Sequence, residues 1–149
     1  MGITGKYMDR RDIEKAGKDG DVRCQLAMEI EAYRLRKYIG AYLAELGTAD
    51  AIVFTAGARE LNVKLREDVL ANLEHLGIKL DKKRNQQAIT RDTESLISTD
   101  DSLVKVFVIP TDEEIVFIED VVAILEGRYE THTHFTYSFE DPQYKRKSE

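Results

Sequence analysis

The stretch V-K-V-F-V-I-P-T-D-E-E, from Val104 to Glu114, reads as a buried strand that stops abruptly and starts a helix. Val104, Val106, Phe107, Val108 and Ile109 form a short, mostly β-branched apolar run. That pattern predicts a parallel strand covered on both faces. Pro110 ends it, because proline has no N–H to give the ladder. Thr111 is then the expected N-cap, with Glu114 three positions on completing a capping box. Capping leaves Glu113 over. It stands at the carboxyl end of a strand, where open α/β sheets place their ligands. A carboxylate there can hold Mg²⁺, directly or through water, beside a bound phosphate. It can also do no more than complement the helix dipole in a first turn that favours acids. Both readings stand.

Working outward, Ala51-Ile52-Val53-Phe54 is a second buried strand, followed at once by Thr55-Ala56-Gly57. Asp9 is expected to cap a helix over Arg10 to Lys18, closed by Gly20. Asp21 starts a long helix that Gly47 stops after Leu46. Along it Leu26, Ile30, Tyr33, Tyr38, Ala41 and Leu46 recur at roughly helical spacing. Its charged face, Glu29, Glu31, Arg34, Arg36 and Lys37, reads as solvated. A further helix is expected from about Asn62 to Leu76, with Gly77 as its C′ residue. Asp81 caps a brief helix near Lys82 to Gln87. Ile78 to Leu80, Ala88 to Arg91 and Leu96 to Ser98 are short strand candidates. The helix after Thr111 runs to about Glu126. Two strands with helical crossovers predict an α/β sheet in which Ile52 and Val106 are near neighbours.

With 149 residues, one domain is expected, large enough to bury a core without staples. The composition, 42% apolar and 34% charged, is that of a globular chain and not a disordered one. A net charge of −6 and the lack of a basic stripe argue against nucleic acid as a partner. Lys82, Lys83 and Arg84 form the densest interior basic run and read as a solvated helix start. The lone Cys24 excludes an internal disulfide and fits a reducing cytoplasm. Inside a helical pattern it reads as a small buried hydrophobe. No signal-peptide pattern opens the chain and no apolar run approaches membrane length.

From Gly127 the character changes. Tyr129, Phe135, Tyr137, Phe139 and Tyr144 lie among polar residues, so residues 127–149 read as an aromatic arm that packs on the domain, residues 1–126, or on a partner. His132 and His134 would share one face of a strand. With Glu130 they make a weak metal candidate, set against two solvated histidines. His75, just before Gly77, is explained by helix-dipole complementarity.

Three clusters together resemble the acetate kinase family, specifically its C-terminal part. They are G-I-T-G-K-Y-M-D-R-R-D from Gly2 to Asp12, D-A-I-V-F-T-A-G from Asp50 to Gly57 with Glu60 and Arg66 downstream, and I-S-T-D-D-S-L-V-K-V-F-V-I-P-T-D-E-E from Ile97 to Glu114. The resemblance covers the chain from Gly2 to about Glu126. It implies an actin-like ATPase (ribonuclease H-like) α/β domain, the C-terminal lobe only, of an enzyme that interconverts ATP and acetate with ADP and acetyl phosphate using Mg²⁺. By that resemblance Asp9, Arg10 and Arg11 match the segment that contacts adenosine. Gly57, Ala58, Arg59, Glu60 and Leu61 match a glycine-containing nucleotide loop, and Glu113 matches a Mg²⁺-associated glutamate. Arg11 also has a plain reading, a helix-surface arginine paired with Asp12 or Glu14.

The loop departs from the family pattern G-[IV]-G-E-N: Arg59 replaces the second glycine and Leu61 the asparagine. Arginine loses the close backbone approach that glycine permits. Leucine loses an amide donor and acceptor. A weakened nucleotide pocket is expected, with Arg59 as a phosphate ligand the alternative. The residues that bind acetate and stabilise the transferring phosphoryl lie upstream in the family, so the chain is expected to be inactive alone. It is either part of a longer protein or a shortened reading frame, and Met1 does not decide between them. The resemblance further implies a homodimer through this domain. The partner is otherwise a missing N-terminal lobe or a full-length kinase. The competing readings are a stand-alone nucleotide-binding or regulatory module and a dimerising interaction fragment.

Overall fold

The computed structural model describes residues 2–56, 62–89, 93–130 and 134–144. The elements run α1 (Arg10–Lys18), α2 (Val22–Leu46), β1 (Ala51–Phe54), α3 (Val63–Leu70), a 3-10 turn (Glu74–Leu76), α4 (Lys82–Gln87), β2 (Ser95–Leu96), β3 (Lys105–Val108) and α5 (Glu113–Leu125). A second 3-10 turn, Ser138–Glu140, lies in the C-terminal arm.

The sheet has three strands in the order β1-β3-β2. β1 pairs with β3 in parallel, so the two strands are neighbours as the sequence predicts, and Ile52 lies directly opposite Val106. β2 is antiparallel to β3. The expected strand at Ile78 to Leu80 reduces to one bridge, Leu80 to Ser98. Ala88 and Ile89 are irregular, and residues 90–92 of that candidate lie outside the described residues.

Neither parallel strand is covered on both faces. In β3, Val106 and Val108 are buried while Lys105 and Phe107 are only half-buried. In β1, Phe54 is buried but Ala51 and Val53 are exposed, as befits a strand at the sheet edge. The buried face joins a core with Ala32 of α2, Leu65, Val69 and Leu70 of α3, and Leu73, Ile78 and Ile97 from the connecting segments.

The capping residues act as the sequence suggests for α1, α2 and α4. Asp9 accepts from Arg11 N, Asp21 from Arg23 N and Cys24 N, and Asp81 from Lys83 N and Arg84 N. α3 is shorter than expected. The chain turns out of the helix at Ala71, Asn72 takes a positive φ of 63°, and a 3-10 turn follows before Gly77 in the left-handed region. His75 therefore belongs to that turn. Before α5 the cap is Asp112, accepting from Ile115 N at 3.3 Å, and not Thr111. Glu113 becomes the first helical residue, and no capping box forms with Glu114.

The inner face of α2 also differs from the expectation. Leu26, Tyr33, Tyr38 and Leu46 are exposed, while Cys24 and Ala32 are buried and Leu35, Ile39 and Leu43 pack on the core. A helix with apolar residues all round offers several stripes, and tertiary packing chooses among them. Within the face read as solvated, Arg36 is drawn in to donate to the carbonyls of Val69 (3.2 Å) and Asp68, and Glu31 accepts from Arg10.

Arg66 is fully buried. It donates to Asn85 Oδ1 at 2.6 Å, Asn85 O at 3.0 Å and Ala88 O at 2.9 Å. Burial pushes its guanidinium down to about 10, so it is charged at neutral pH and depends on those acceptors.

Candidate functional site

The carboxyl ends of the two parallel strands lie side by side. Phe54 pairs with Val108, and Ile109 N donates to Phe54 O at 3.0 Å. The chain leaving β1 is tense at once. Ala56 has φ +67°, a region costly for an L residue by roughly 1 kcal/mol. Thr55 Oγ1 is buried with no hydrogen-bond partner among the described residues. The predicted nucleotide loop, Gly57, Ala58, Arg59, Glu60 and Leu61, lies outside the described residues. It re-enters at Asn62, whose side-chain oxygen caps α3 by accepting from Leu65 N at 2.9 Å. The Asn62 amide donates to Glu14 Oε2 at 2.9 Å, fastening the end of the loop to α1.

Beside that junction is a cavity of about 540 Å³ between α1, α2 and the start of α3. Its floor includes Gly17, Met28, Ala32 and Leu65, and its rim includes Arg10, Glu14, Lys18 and Asn62. Gly17 lies close under Met28: a Cβ there would come within 2.6 Å of Met28 Cε, so the flexible end of that side chain would have to shift. Arg10 donates to Glu14 at 3.0 Å and to Glu31 at 2.9 Å, and Lys18 donates to Glu14 at 2.9 Å. Burial alone would raise the Glu14 carboxyl, but Lys18 and Arg10 outweigh it and hold the carboxyl below its usual range. The rim cations are thus engaged with carboxylates, and the cavity suits a largely apolar, hydrogen-bonding ligand better than a bare anion.

Of the three residues expected in this region, the structure puts Arg10 on the cavity and Asp9 and Arg11 beside it on the surface. Arg11 pairs with Asp9 through two hydrogen bonds of 2.8 and 3.1 Å, not with Asp12 or Glu14. The hydrogen bond from Arg11 pulls the Asp9 carboxyl down to about 2.

A second cavity of about 620 Å³ opens at the end of β3. Ile109, Pro110, Thr111 and Asp112 form its base, Glu113, Ile115 and Val116 the helix side, and Glu94, Phe139 and Tyr144 the remaining walls. Since Asp112 does the capping, the Glu113 carboxylate is exposed and makes no hydrogen bond or ion pair among the described residues. Glu113 and Arg10 line different cavities.

The sequence model of the acetokinase family matches residues 1–119. The chain belongs to the acetokinase family. It is 60% identical over 146 residues to the acetate kinase of Trichlorobacter lovleyi, covering 98% of this chain and 35% of that protein. It is 54% identical over 149 residues to the acetate kinase of Treponema pallidum, covering 99% and 33%. Among solved structures, Porphyromonas gingivalis acetate kinase superposes with a TM-score of 0.71 at 42% identity, over 83% of this chain and 31% of that one. Entamoeba histolytica acetate kinase gives 0.70 at 27%, over 84% and 32%. The fold is therefore the α/β, actin-like ATPase fold of acetate kinases. The chain spans about a third of the length of the curated relatives it matches.

An acetokinase implies Mg²⁺ with its nucleotide, and the residues present fit one ion. Mg²⁺ takes one or two carboxylates, phosphate oxygens and water. Glu113 offers an unengaged carboxylate at a strand end, with Glu94 across the same cavity. Among the described residues no group of three or more His, Cys, Asp or Glu side chains is placed to hold a metal by itself. His134 lies 3.8 Å from Glu130, while His132 lies outside the described residues. No helix among the described residues is long and apolar enough to cross a membrane. Cys24 is buried, as a small hydrophobe would be.

Sequence reasoning missed Glu14, Gly17 and Asn62. A glycine inside a helical pattern was the available signal for Gly17, since such a residue costs helix stability unless packing needs it. Asn62 has the side chain of an N-cap, one residue before the helix proper.

Proposed function

We propose that this chain is the C-terminal, nucleotide-binding lobe of an acetate kinase that interconverts ATP and acetate with ADP and acetyl phosphate. The observation that carries the reading is the pair of adjacent parallel strand ends, with Glu113 lining the cavity at the end of β3. In this reading adenosine occupies the cavity at Arg10, Glu14 and Asn62, with Asp9 and Arg11 at its edge. The phosphates lie toward Glu113, and Gly57, Ala58, Arg59, Glu60 and Leu61 serve as the nucleotide loop. Glu113 holds Mg²⁺ directly or through water, and the ion supplies charge neutralisation to the phosphates.

In this reading the lobe does not carry out phosphoryl transfer by itself. Phosphoryl transfer depends on positioning and on cations around the transferring group. In the described residues the basic side chains near the first cavity are tied to carboxylates or carbonyls. The missing lobe supplies those groups, and α5 is where it docks. Phe117 and Leu125 are 70% and 81% exposed, with Ile118 and Ile124 beside them, and no other helix or strand packs extensively on α5 among the described residues. Such a patch calls for a partner. Self-association is a second partnership in this reading, through the exposed Tyr33, Tyr38 and Tyr42 of α2. Sedimentation showing only monomer at high micromolar concentration would count against it. The cytoplasm is the place of action.

Calorimetry tests the nucleotide reading. The unaltered chain should bind Mg·ATP weakly or not at all, and the double change Arg59→Gly with Leu61→Asn should tighten it. A restored polar contact is worth roughly 0.5–1.5 kcal/mol, up to about tenfold in affinity. In that background Glu113→Gln should weaken binding only when Mg²⁺ is present. Tighter binding by the unaltered chain would make Arg59 a phosphate ligand instead.

A further inference from the structure

The arm after α5 lies beyond residues 1–119, which the family's sequence model matches, and it is fastened to the helix at several points. Arg128 N and Tyr129 N donate to Ala123 O at 3.0 and 3.2 Å. The Tyr137 hydroxyl, on a residue only 4% exposed, donates to Asp120 Oδ1 at 2.8 Å. Ser138 N donates to Glu119 Oε2 at 2.9 Å, and Ser138 Oγ donates to the same carboxylate. Between these ties the rings of Tyr129, Phe135, Tyr137 and Phe139 form a continuous ladder, with successive centroids 5.6, 4.8 and 5.0 Å apart. The arm therefore runs back along α5 toward the helix start. It delivers Phe139 and Tyr144 to the cavity that Glu113 lines.

We propose that the arm is a working wall of the Glu113 site, with Phe139 and Tyr144 as positioning residues that enclose the divalent cation and raise its affinity. The inference rests on the Mg²⁺ reading of Glu113. Its physical basis is the effect of the surroundings on a carboxylate and its cation. Strand end and first helical turn alone make an open ledge, where water screens their attraction. Aromatic walls on the remaining side reduce that screening, and the shell around a metal site commonly changes affinity by large factors. The ties to Asp120 and Glu119 hold the rings in place, so ordering them costs little when the ion arrives.

The test uses Mn²⁺ alone as a paramagnetic probe of the full chain, read by NMR. Mn²⁺ should broaden the Val116 methyls and the Phe139 and Tyr144 rings together, while the Tyr38 ring on α2 stays sharp. Glu113→Gln should abolish the effect. Tyr137→Phe with Ser138→Ala, which loosens the arm, should raise the Mn²⁺ concentration needed to broaden Val116 by about tenfold. Phe139→Ala with Tyr144→Ala should do the same with the ties intact. Unchanged Leu65 and Val106 methyl signals check the fold in each variant. If Val116 broadens at the same Mn²⁺ concentration in both variants, or broadens while the arm rings stay sharp, the arm is not part of the site and only this inference fails. If Val116 never broadens, the metal reading of Glu113 fails and the inference falls with it.

Discussion

The body of the chain and its last helix differ in what surrounds their side chains. In the body even a guanidinium is accommodated: Arg66 is completely buried, with Asn85 and Ala88 supplying its acceptors. On α5 the opposite holds: Phe117, Ile118, Ile124 and Leu125 are largely exposed, and no other helix or strand packs extensively on the helix among the described residues. The core under the sheet is closed by α2 and α3, whereas α5 leaves a row of large apolar side chains exposed. The two regions meet at Pro110, where β3 ends and the Glu113 cavity begins. The candidate site thus lies on the border between the packed core and the exposed helix.

Substitution at Arg66 should show the largest effect. Arg66→Ala removes the donor of at least three buried hydrogen bonds and leaves their acceptors dry. With each orphaned group costing roughly 1–3 kcal/mol, a loss of about 3 kcal/mol or more is expected in a denaturant melt. A loss below about 1 kcal/mol would mean that water replaces the side chain and that the body is less closed than described.

The arm should respond locally. Tyr137→Phe deletes the donor to Asp120, so hydrogen exchange should quicken at residues 134–144 while β3 and α3 keep their protection. Equal acceleration in β3 would show that the arm and the body unfold as one unit.

Acid should act on the body's edges. Asp9 and Asp101 are both held at about 2, below the ordinary 3.8, mainly by hydrogen bonds from Arg11 and Lys79. Their folded values are depressed, so the stability they contribute is complete above the unfolded value and is lost as pH falls from about 4 toward 2. Asp9→Asn with Asp101→Asn should flatten the melting temperature across that interval. An unchanged acid slope would assign it to other carboxylates.

The smallest effect on stability belongs to α5. Phe117→Ser or Leu125→Ser should move the folding free energy of this chain by less than about 0.5 kcal/mol, because exposed side chains have little to lose. The same changes should abolish any association with the remainder of an acetate kinase. A large destabilisation would show that α5 is covered within the chain itself.

Much of the body was legible from local chemistry. Asp9, Asp21 and Asp81 are caps because a short carboxylate before a helical run has one good use, and Gly20 and Gly47 mark the stops of α1 and α2, whereas Gly77 closes a 3-10 turn after α3 has already ended. The pairing of Ile52 with Val106 followed from two β-branched runs separated by helices. What failed was whatever depended on neighbours. A stripe on α2 could be drawn through Tyr33 and Tyr38 as readily as through Ala32, Leu35 and Ile39, and only the position of the sheet selects the latter. β1 looked covered because its residues are apolar, but Val53 faces outward at the sheet edge. Thr111 and Asp112 are both good caps, and the turn after Pro110 favours the second. At the candidate site, Arg10 and Glu113 were visible as residue types, while Glu14 and Asn62 were not, since their hydrogen bond links residues far apart in sequence.

The central claim is that this chain is one lobe of an acetate kinase and needs the other to work. Acetyl phosphate formation, trapped as the hydroxamate in the presence of ATP, Mg²⁺ and acetate, tests it directly. The purified chain should stay at background, and adding the remaining two-thirds of the Trichlorobacter lovleyi acetate kinase as a separate polypeptide should bring turnover above it. Turnover by this chain alone at roughly 1–100 s⁻¹, the range of ordinary kinases, would contradict the account.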